Sequence, residues 1–277
     1  MQQNLEQFRR QGLSVCSISY DSVEILADFT KRRGIAFPLL SDPQSEIIRA
    51  FGLLNTTIPA GHPWHGIPYP GIYIVDENGI VRSKYFQDTY QERYTAPSIL
   101  LREFGSLAGT RETAVKTAHL EMKYYSSSDV VRPSLRLTLV ADFQLPPKMH
   151  VYAPEVANYI PIQFKLEDSS YYRSSPADYP ESEILYLPAI QETVPVYQGK
   201  FRIAQDITMA GSDILRQVLA GGRVVRVRGQ LRYQACDDKI CYLPQDIPLE
   251  WVFHVEPLDT ERVPEAIQHP SPPRGGR

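Results

Sequence analysis

The chain has 277 residues, of which 43% are hydrophobic and 22% charged, with a formal net charge of −3. That is a globular composition with room for two ordinary domains. The charge offers no basic footprint for nucleic acid, and no stretch reaches the roughly 18 apolar residues of a membrane-spanning helix.

The opening Met1–Arg10 is polar, and Leu5, Phe8 and Leu13 share one face of a short helix stopped at Gly12. It lacks a basic segment followed by an apolar one, so no signal peptide is visible. Leu13–Tyr20 reads as a buried strand that holds Cys16 as an inert small hydrophobe. Asp21-Ser-Val-Glu opens a helix that ends at Gly34, with Ile25, Leu26 and Phe29 as its core face. Phe37–Leu40 forms a short strand, and Ser41-Asp-Pro-Gln-Ser-Glu caps a helix to about Phe51. A loop rich in Pro, Gly and His follows. His62 and His65 are read there as solvated loop residues and not as metal ligands, since no acidic neighbour or helix supports a site. Ile72–Asp76 and Ile80–Phe86 pair around Glu77-Asn-Gly79. The aromatics Tyr85, Phe86, Tyr90 and Tyr94 suit packing or an interdomain surface. Thr95–Phe104 closes the domain as a helix.

Strands alternating with helices and then a hairpin predict an α/β layer fold. The order, with Val15–Asp21, Phe37–Asp42 and Ile67–Gly79, resembles the AhpC/TSA family of peroxiredoxin and thioredoxin-like redoxins. The resemblance implies a thioredoxin-like domain over residues 1–108 with a cis-proline at Pro70 beside the active site. The family's active-site Cys motif has no match here, and Cys16 does not replace it. An N-terminally truncated start, with the signal and the Cys motif upstream, is the favoured expectation; a decayed redoxin domain is the other.

Gly105–Thr113 turns small and polar, and the linker is placed at 109–116. Short strands follow at 119–125, 135–143, 162–166, 201–207, 224–233 and 247–255, with a short helix near 212–219. This is an all-β sandwich pattern. In the last two strands Val225, Val227, Leu231 and Tyr233, then Ile247, Leu249, Trp251 and Phe253, recur at period two. They form a hairpin whose polar end carries Cys236 and Cys241.

Facing positions there can sit about 4.5–5.5 Å apart, within reach of a disulfide. Closing so small a loop contributes only roughly 2 kcal/mol, so a reducible bridge is one reading. A structural hairpin disulfide and two buried free thiols are the others. A zinc site lacks a second Cys/His pair. Asp237 and Asp238 disfavour a thiolate at Cys236, and Lys239 favours one.

Tyr233-Gln-Ala-Cys-Asp-Asp-Lys-Ile-Cys-Tyr-Leu-Pro244 resembles the active-site hairpin of the N-terminal periplasmic domain of the thiol:disulfide interchange protein DsbD, over about Thr117–Val255. The resemblance implies an immunoglobulin-like sandwich over 117–256 in which Cys236 and Cys241 are the catalytic pair. Such a domain takes electrons from a membrane donor and passes them to other extracytoplasmic proteins. His150-Val-Tyr-Ala-Pro matches the strand lining the pair, with Tyr152 the better match and His150 the weaker one. Tyr152, Tyr233 and Pro70 are the supporting residues. Residues 179–188 fall where the family carries a cap loop, with Tyr186 as the candidate cap. Cys241, farther from the two carboxylates, is the candidate exchanging sulfur. Residues 257–277 read as a disordered tail.

The reading is a redoxin domain followed by a DsbD-like domain that relays electrons through Cys236 and Cys241. It needs no cofactor or metal and has thiol–disulfide proteins as partners. It implies an extracytoplasmic location, although the chain as given shows no signal peptide. A thiol peroxidase whose catalytic Cys lies upstream, and a non-catalytic binding module with a structural disulfide, are the alternatives.

Overall fold

A computed structural model describes residues 1–62, 65–86, 92–105, 107, 110–188 and 191–269. The chain divides into two units, residues 1–96 with 259–277, and residues 97–258.

The first unit opens with a 3-10 turn and α1 (Leu5–Arg10), which buries Leu5 and Phe8. Strand β1 (Ser17–Ser19), α2 (Val23–Arg33) and β2 (Leu39–Ser41) form a βαβ turn with β1 and β2 parallel. Local chemistry fixes the helix ends. The Ser22 hydroxyl accepts the Ile25 amide, and Gly34 closes the helix at φ 59°, where a Cβ is disfavoured. Helix α3 (Glu46–Ala50) is shorter than the sequence predicts, because Pro43 and Ser45, at φ 53°, keep the preceding turn non-helical. Buried Asp42 instead caps it, accepting the Glu46 and Ile48 amides at 2.9 Å each. Strands β3 (Gly71–Val75) and β4 (Val81–Phe86) form the expected hairpin, followed by β5 (Arg93–Tyr94).

Three expectations for this unit are corrected. Cys16 is exposed and lies just before β1, because the strand begins only at Ser17. The Tyr69–Pro70 bond is trans, as no cis peptide bond occurs among the described residues. An extended path holds it there: the Tyr69 amide donates to the Leu53 carbonyl at 2.7 Å, Leu54 bridges Pro68, and trans is the lower-energy isomer. The C-terminal segment is ordered as far as 269. Arg33 pairs with Asp259 and Glu261, His269 Nε2 lies 2.7 Å from Asp21 Oδ1, and its ring stacks on Tyr20. Charge complementarity and one ring stack hold a segment whose composition alone suggested disorder. Residues 270–277, like Tyr90 and the Pro63–Trp64 pair, lie outside the described residues.

Helix α4 (Ala96–Phe104) packs with the second unit. Leu101 joins Tyr125 and Val140, Ser98 Oγ meets Ser127 Oγ at 2.8 Å, and Arg102 pairs with buried Asp206 at 2.8 Å. The sequence had placed this helix in the first domain; its apolar face finds its cover on the sandwich.

The rest of that unit is β6 (Thr113–Lys116), β7 (Glu121–Ser126), β8 (Val130–Val131), β9 (Leu135–Gln144), β10 (His150–Tyr152), β11 (Gln163–Leu166) and β12 (Tyr172–Ser174). Then come β13 (Glu183–Leu187), β14 (Glu192–Gln198), β15 (Lys200–Met209), α5 (Ser212–Ala220), β16 (Val224–Tyr233), β17 (Ala235–Cys236) and β18 (Gln245–Val255). They build three sheets, ordered β12-β15-β9-β7-β6, β11-β16-β18-β8 and β13-β14-β10-β17.

The alternation read from the sequence is the burial pattern observed. Val225, Val227, Leu231 and Tyr233 on β16, and Ile247, Leu249, Trp251 and Phe253 on β18, all point into the core. Each such side chain contributes about 1.5–3 kcal/mol by leaving water. Trp251 meets Tyr124 of the facing sheet edge-on at 5.1 Å, which ties the two layers together. Among the described residues no helix is long and apolar enough to cross a membrane.

Candidate functional site

Strands β16 and β18 pair in register from Val224–His254 to Tyr233–Gln245. Beyond Tyr233 the chain leaves this sheet. Ala235 and Cys236 of β17 pair with Val151 and His150 of β10, in the third sheet. The hairpin end thus bends across the sandwich and carries the cysteine pair with it.

Cys236 and Cys241 are bonded, with an S–S distance of 2.02 Å and Cα atoms 4.0 Å apart. The turn between them is built by its own side chains. The Asp237 amide donates to the Ile240 carbonyl at 2.9 Å, and the Tyr242 amide donates to the Ala235 carbonyl at 2.9 Å. Asp237 Oδ1 accepts the Lys239 and Ile240 amides at 2.8 and 2.9 Å, and its Oδ2 accepts the Tyr242 hydroxyl at 2.9 Å. These amides, with the hydroxyl, hold the Asp237 carboxyl below the usual carboxylate range. Its charge is directed at the backbone as much as at the sulfurs. Asp238 faces Lys148 at 3.8 Å.

The two sulfurs occupy different environments. Cys236 is 1% exposed and packs with Tyr152, Val194 and Val196. Cys241 is exposed, between the exposed side chains of Ile240 and Tyr242. The Tyr152 hydroxyl donates to Cys241 Sγ at 3.6 Å. The Tyr152 ring stacks on Tyr159 at 4.4 Å, and Tyr159 in turn donates to Glu192. That hydrogen bond, first, and desolvation, second, push the Tyr159 hydroxyl up to about 12. Burial, and then Glu192, also raises Tyr152 above the ordinary tyrosine value.

The structure brings Cys236, Cys241 and Tyr152 together. Tyr233 stands at the neck of the turn and does not touch sulfur. Its hydroxyl donates to Gln245 Oε1 at 2.6 Å and meets Thr117 Oγ1 at 2.8 Å, which pins the point where the strands part. Pro70 belongs to the first unit, directly before β3. The cap expectation for Tyr186 is corrected. On β13 it is 56% exposed, whereas Leu185 and Leu187 pack against the Tyr152–Cys236 cluster. Alternation along a strand sends neighbours to opposite faces, and the phase places the leucines inward.

Sequence reasoning missed three participants. Tyr159 backs Tyr152. His119 stacks on Tyr242 at 3.9 Å, bracing the outer side of the turn. His150, named only as a weaker match, faces Cys236 directly across the β10–β17 pair. The His150–Val151–Tyr152 alternation was the one available signal for the last, since it puts His150 and Tyr152 on one face.

Comparison with known proteins agrees with this division. Residues 1–84 match the family model described as AhpC/TSA family. Residues 126–248 match the family model described as Thiol:disulfide interchange protein DsbD, N-terminal. Among curated proteins, "Putative peroxiredoxin Rv2521" of Mycobacterium tuberculosis is 40% identical over 83 residues, covering 30% of this chain and 52% of that protein. "Putative peroxiredoxin bcp" of Buchnera aphidicola subsp. Schizaphis graminum is 30% identical over 84 residues, with the same coverages. The chain spans about half the length of the curated relatives it matches. Among solved structures, the N-terminal periplasmic domain of ScsB from Proteus mirabilis aligns at 13% identity and TM-score 0.36, over 52% of this chain and 49% of that one. The Neisseria meningitidis DsbD N-terminal domain in the reduced form aligns at 15% identity and TM-score 0.30, over 46% of this chain and 80% of that one. The chain therefore carries a thioredoxin-like redoxin segment of the AhpC/TSA family, followed by an immunoglobulin-like β segment of the DsbD N-terminal family.

Proposed function

We propose that the Cys236–Cys241 bridge is an exchange-active disulfide that relays electrons between thiol–disulfide proteins. The carrying observation is the asymmetry of the pair, an exposed Cys241 sulfur beside a buried Cys236 sulfur, on a four-residue turn. Thiol–disulfide exchange needs an attacking thiolate to reach one sulfur in line with the bond, and Cys241 offers that approach. A donor thiolate bonds to Cys241 Sγ while the S–S electron pair leaves on Cys236. The donor's second thiol then resolves the mixed disulfide and releases the dithiol. Cys236 and Cys241 are the catalytic residues of this reading. Tyr152 is the supporting hydrogen-bond donor, and Tyr233 holds the neck of the turn. Extracytoplasmic partners, with a membrane protein as electron donor, fit a compartment in which such bridges persist.

The test is the reduction potential of the pair, read by counting thiols after equilibration in glutathione and dithiothreitol buffers. A value between roughly −270 and −120 mV supports the relay, and one below about −300 mV identifies a structural staple and a binding module.

The AhpC/TSA match over residues 1–84 favours a second reading, a thiol peroxidase. Cys16 is the sole cysteine outside the bridge. Hydrogen peroxide consumption by this chain that persists after Cys236→Ser and Cys241→Ser, and stops with Cys16→Ser, would establish it.

A further inference from the structure

Strand β10 lies between β14 and β17, so His150 faces Gln198 on one side and Cys236 on the other. Directly opposed residues of an antiparallel pair project to the same face, with Cβ atoms about 4.5–5.5 Å apart. Tyr152, two residues on, shares that face, and its ring lies 5.5 Å from the imidazole at 82°. His150, Tyr152 and Cys236 therefore form one buried row beneath the exposed Cys241.

His150 is 1% exposed, and its Nε2 is buried without a hydrogen-bond partner. A buried polar atom left unpaired is costly and calls for a reason. The groups around it carry charge of one dominant sign. Asp237 and Asp238 act on the ring from the turn that follows β17, Lys148 before β10 partly offsets Asp238, and Gln198 on β14 is neutral. Burial holds the imidazole below its usual range while the two carboxylates oppose that. With the bridge closed the ring is therefore neutral near pH 7.

Opening the bridge changes what this ring faces. If a donor thiolate takes Cys241, the S–S electron pair stays on Cys236 Sγ, inside an apolar cluster that penalises a bare thiolate. We infer that His150 is the positioning residue for this step, and that its unpartnered nitrogen pairs with the Cys236 sulfur when the disulfide opens. This rests on the proposed exchange at the same bridge. The imidazole takes up one proton, supplied as the donor's second thiol ionises, and forms an imidazolium–thiolate pair with Cys236. The donor's second thiolate then attacks its own mixed-disulfide sulfur. Cys241 leaves as a thiolate and takes a proton from water. The donor dithiol loses two electrons and becomes a disulfide; the bridge gains them.

The test is a histidine NMR pH titration of the full chain, oxidised and then reduced with a phosphine. The His150 resonance is identified by its loss in His150→Gln. Reduction is expected to tighten proton binding at His150 about tenfold or more, a shift of one pKa unit. In parallel, thiolate absorbance of the reduced protein should show Cys236 ionising at higher pH in His150→Phe, with partial recovery in His150→Gln, which keeps an N–H donor. Identical His150 titration in the two states, or a Cys236 titration unmoved by His150→Phe, overturns the assignment. The wild-type titration decides the matter even where a variant fails to fold. The phosphine opens the bridge whatever its potential, so a bridge that proves to be a structural staple would sink the relay while this pairing is still judged on its own readout.

Discussion

The Tyr152 hydroxyl lies 3.6 Å from Cys241 Sγ and is the hydrogen bond from the core to the exposed sulfur. Such a bond strengthens when the sulfur becomes a thiolate. Tyr152→Phe is expected to destabilise the reduced form by about 1–1.5 kcal/mol, lowering the reduction potential by roughly 20–30 mV. Burial, reinforced by Glu192, keeps the Tyr152 hydroxyl protonated beyond the ordinary tyrosine range. The shift should therefore be the same across about pH 6 to 9. Potentials measured at several pH values check both the sign and the flatness.

The buried and exposed sulfurs should react at different rates when separated. Cys236→Ser leaves a thiol at the exposed position, and Cys241→Ser leaves one in the Tyr152 cluster. Labelling with an aromatic disulfide should be about tenfold faster or more in Cys236→Ser, because access and thiolate character both favour Cys241. Equal rates would remove the asymmetry on which the relay rests.

Asp237 ties the turn to acid stability. Its folded pKa is depressed, by the Ile240 and Lys239 amides first and the Tyr242 hydroxyl next. A depressed carboxyl contributes stability above its unfolded pKa of about 3.9 and loses it as pH falls through the lower folded value. Asp237→Ala should therefore lower the melting temperature at neutral pH, with the gap to wild type shrinking as pH drops below about 4. Thermal melts across that range test it.

Gly229 marks a close approach between strands. A Cβ there would sit 2.7 Å from the Lys165 carbonyl oxygen and 2.9 Å from Leu166 Cδ2 on β11. Backbone cannot step aside as a side-chain end can. Gly229→Ala is expected to cost about 1–3 kcal/mol of stability, read from the urea midpoint.

The redoxin-like stretch shows where local patterns suffice and where they stop. Ser22 and Gly34 announced the ends of α2 because capping is chemistry of adjacent residues. The exposure of Cys16, the trans bond at Pro70 and the ordered 259–269 segment were not legible. Each depends on partners distant in the chain, namely the strand start set by β2, the Leu53 and Leu54 contacts, and the Arg33 and Asp21 pairs.

In the sandwich, the period-two pattern of β16 and β18 determined which side chains share the core face, and the spacing of Cys236 and Cys241 marked the turn. Neither could say that the chain changes sheets after Tyr233. Only the tertiary structure decided that Cys236 lies buried opposite His150, that Cys241 stays at the surface under the Tyr152 hydroxyl, and that Leu185 and Leu187, not Tyr186, cover the pair. The reason is physical. A strand's own sequence sets its inward and outward faces, but the partner it pairs with, and so the environment of each sulfur, is fixed by contacts between segments far apart in the chain.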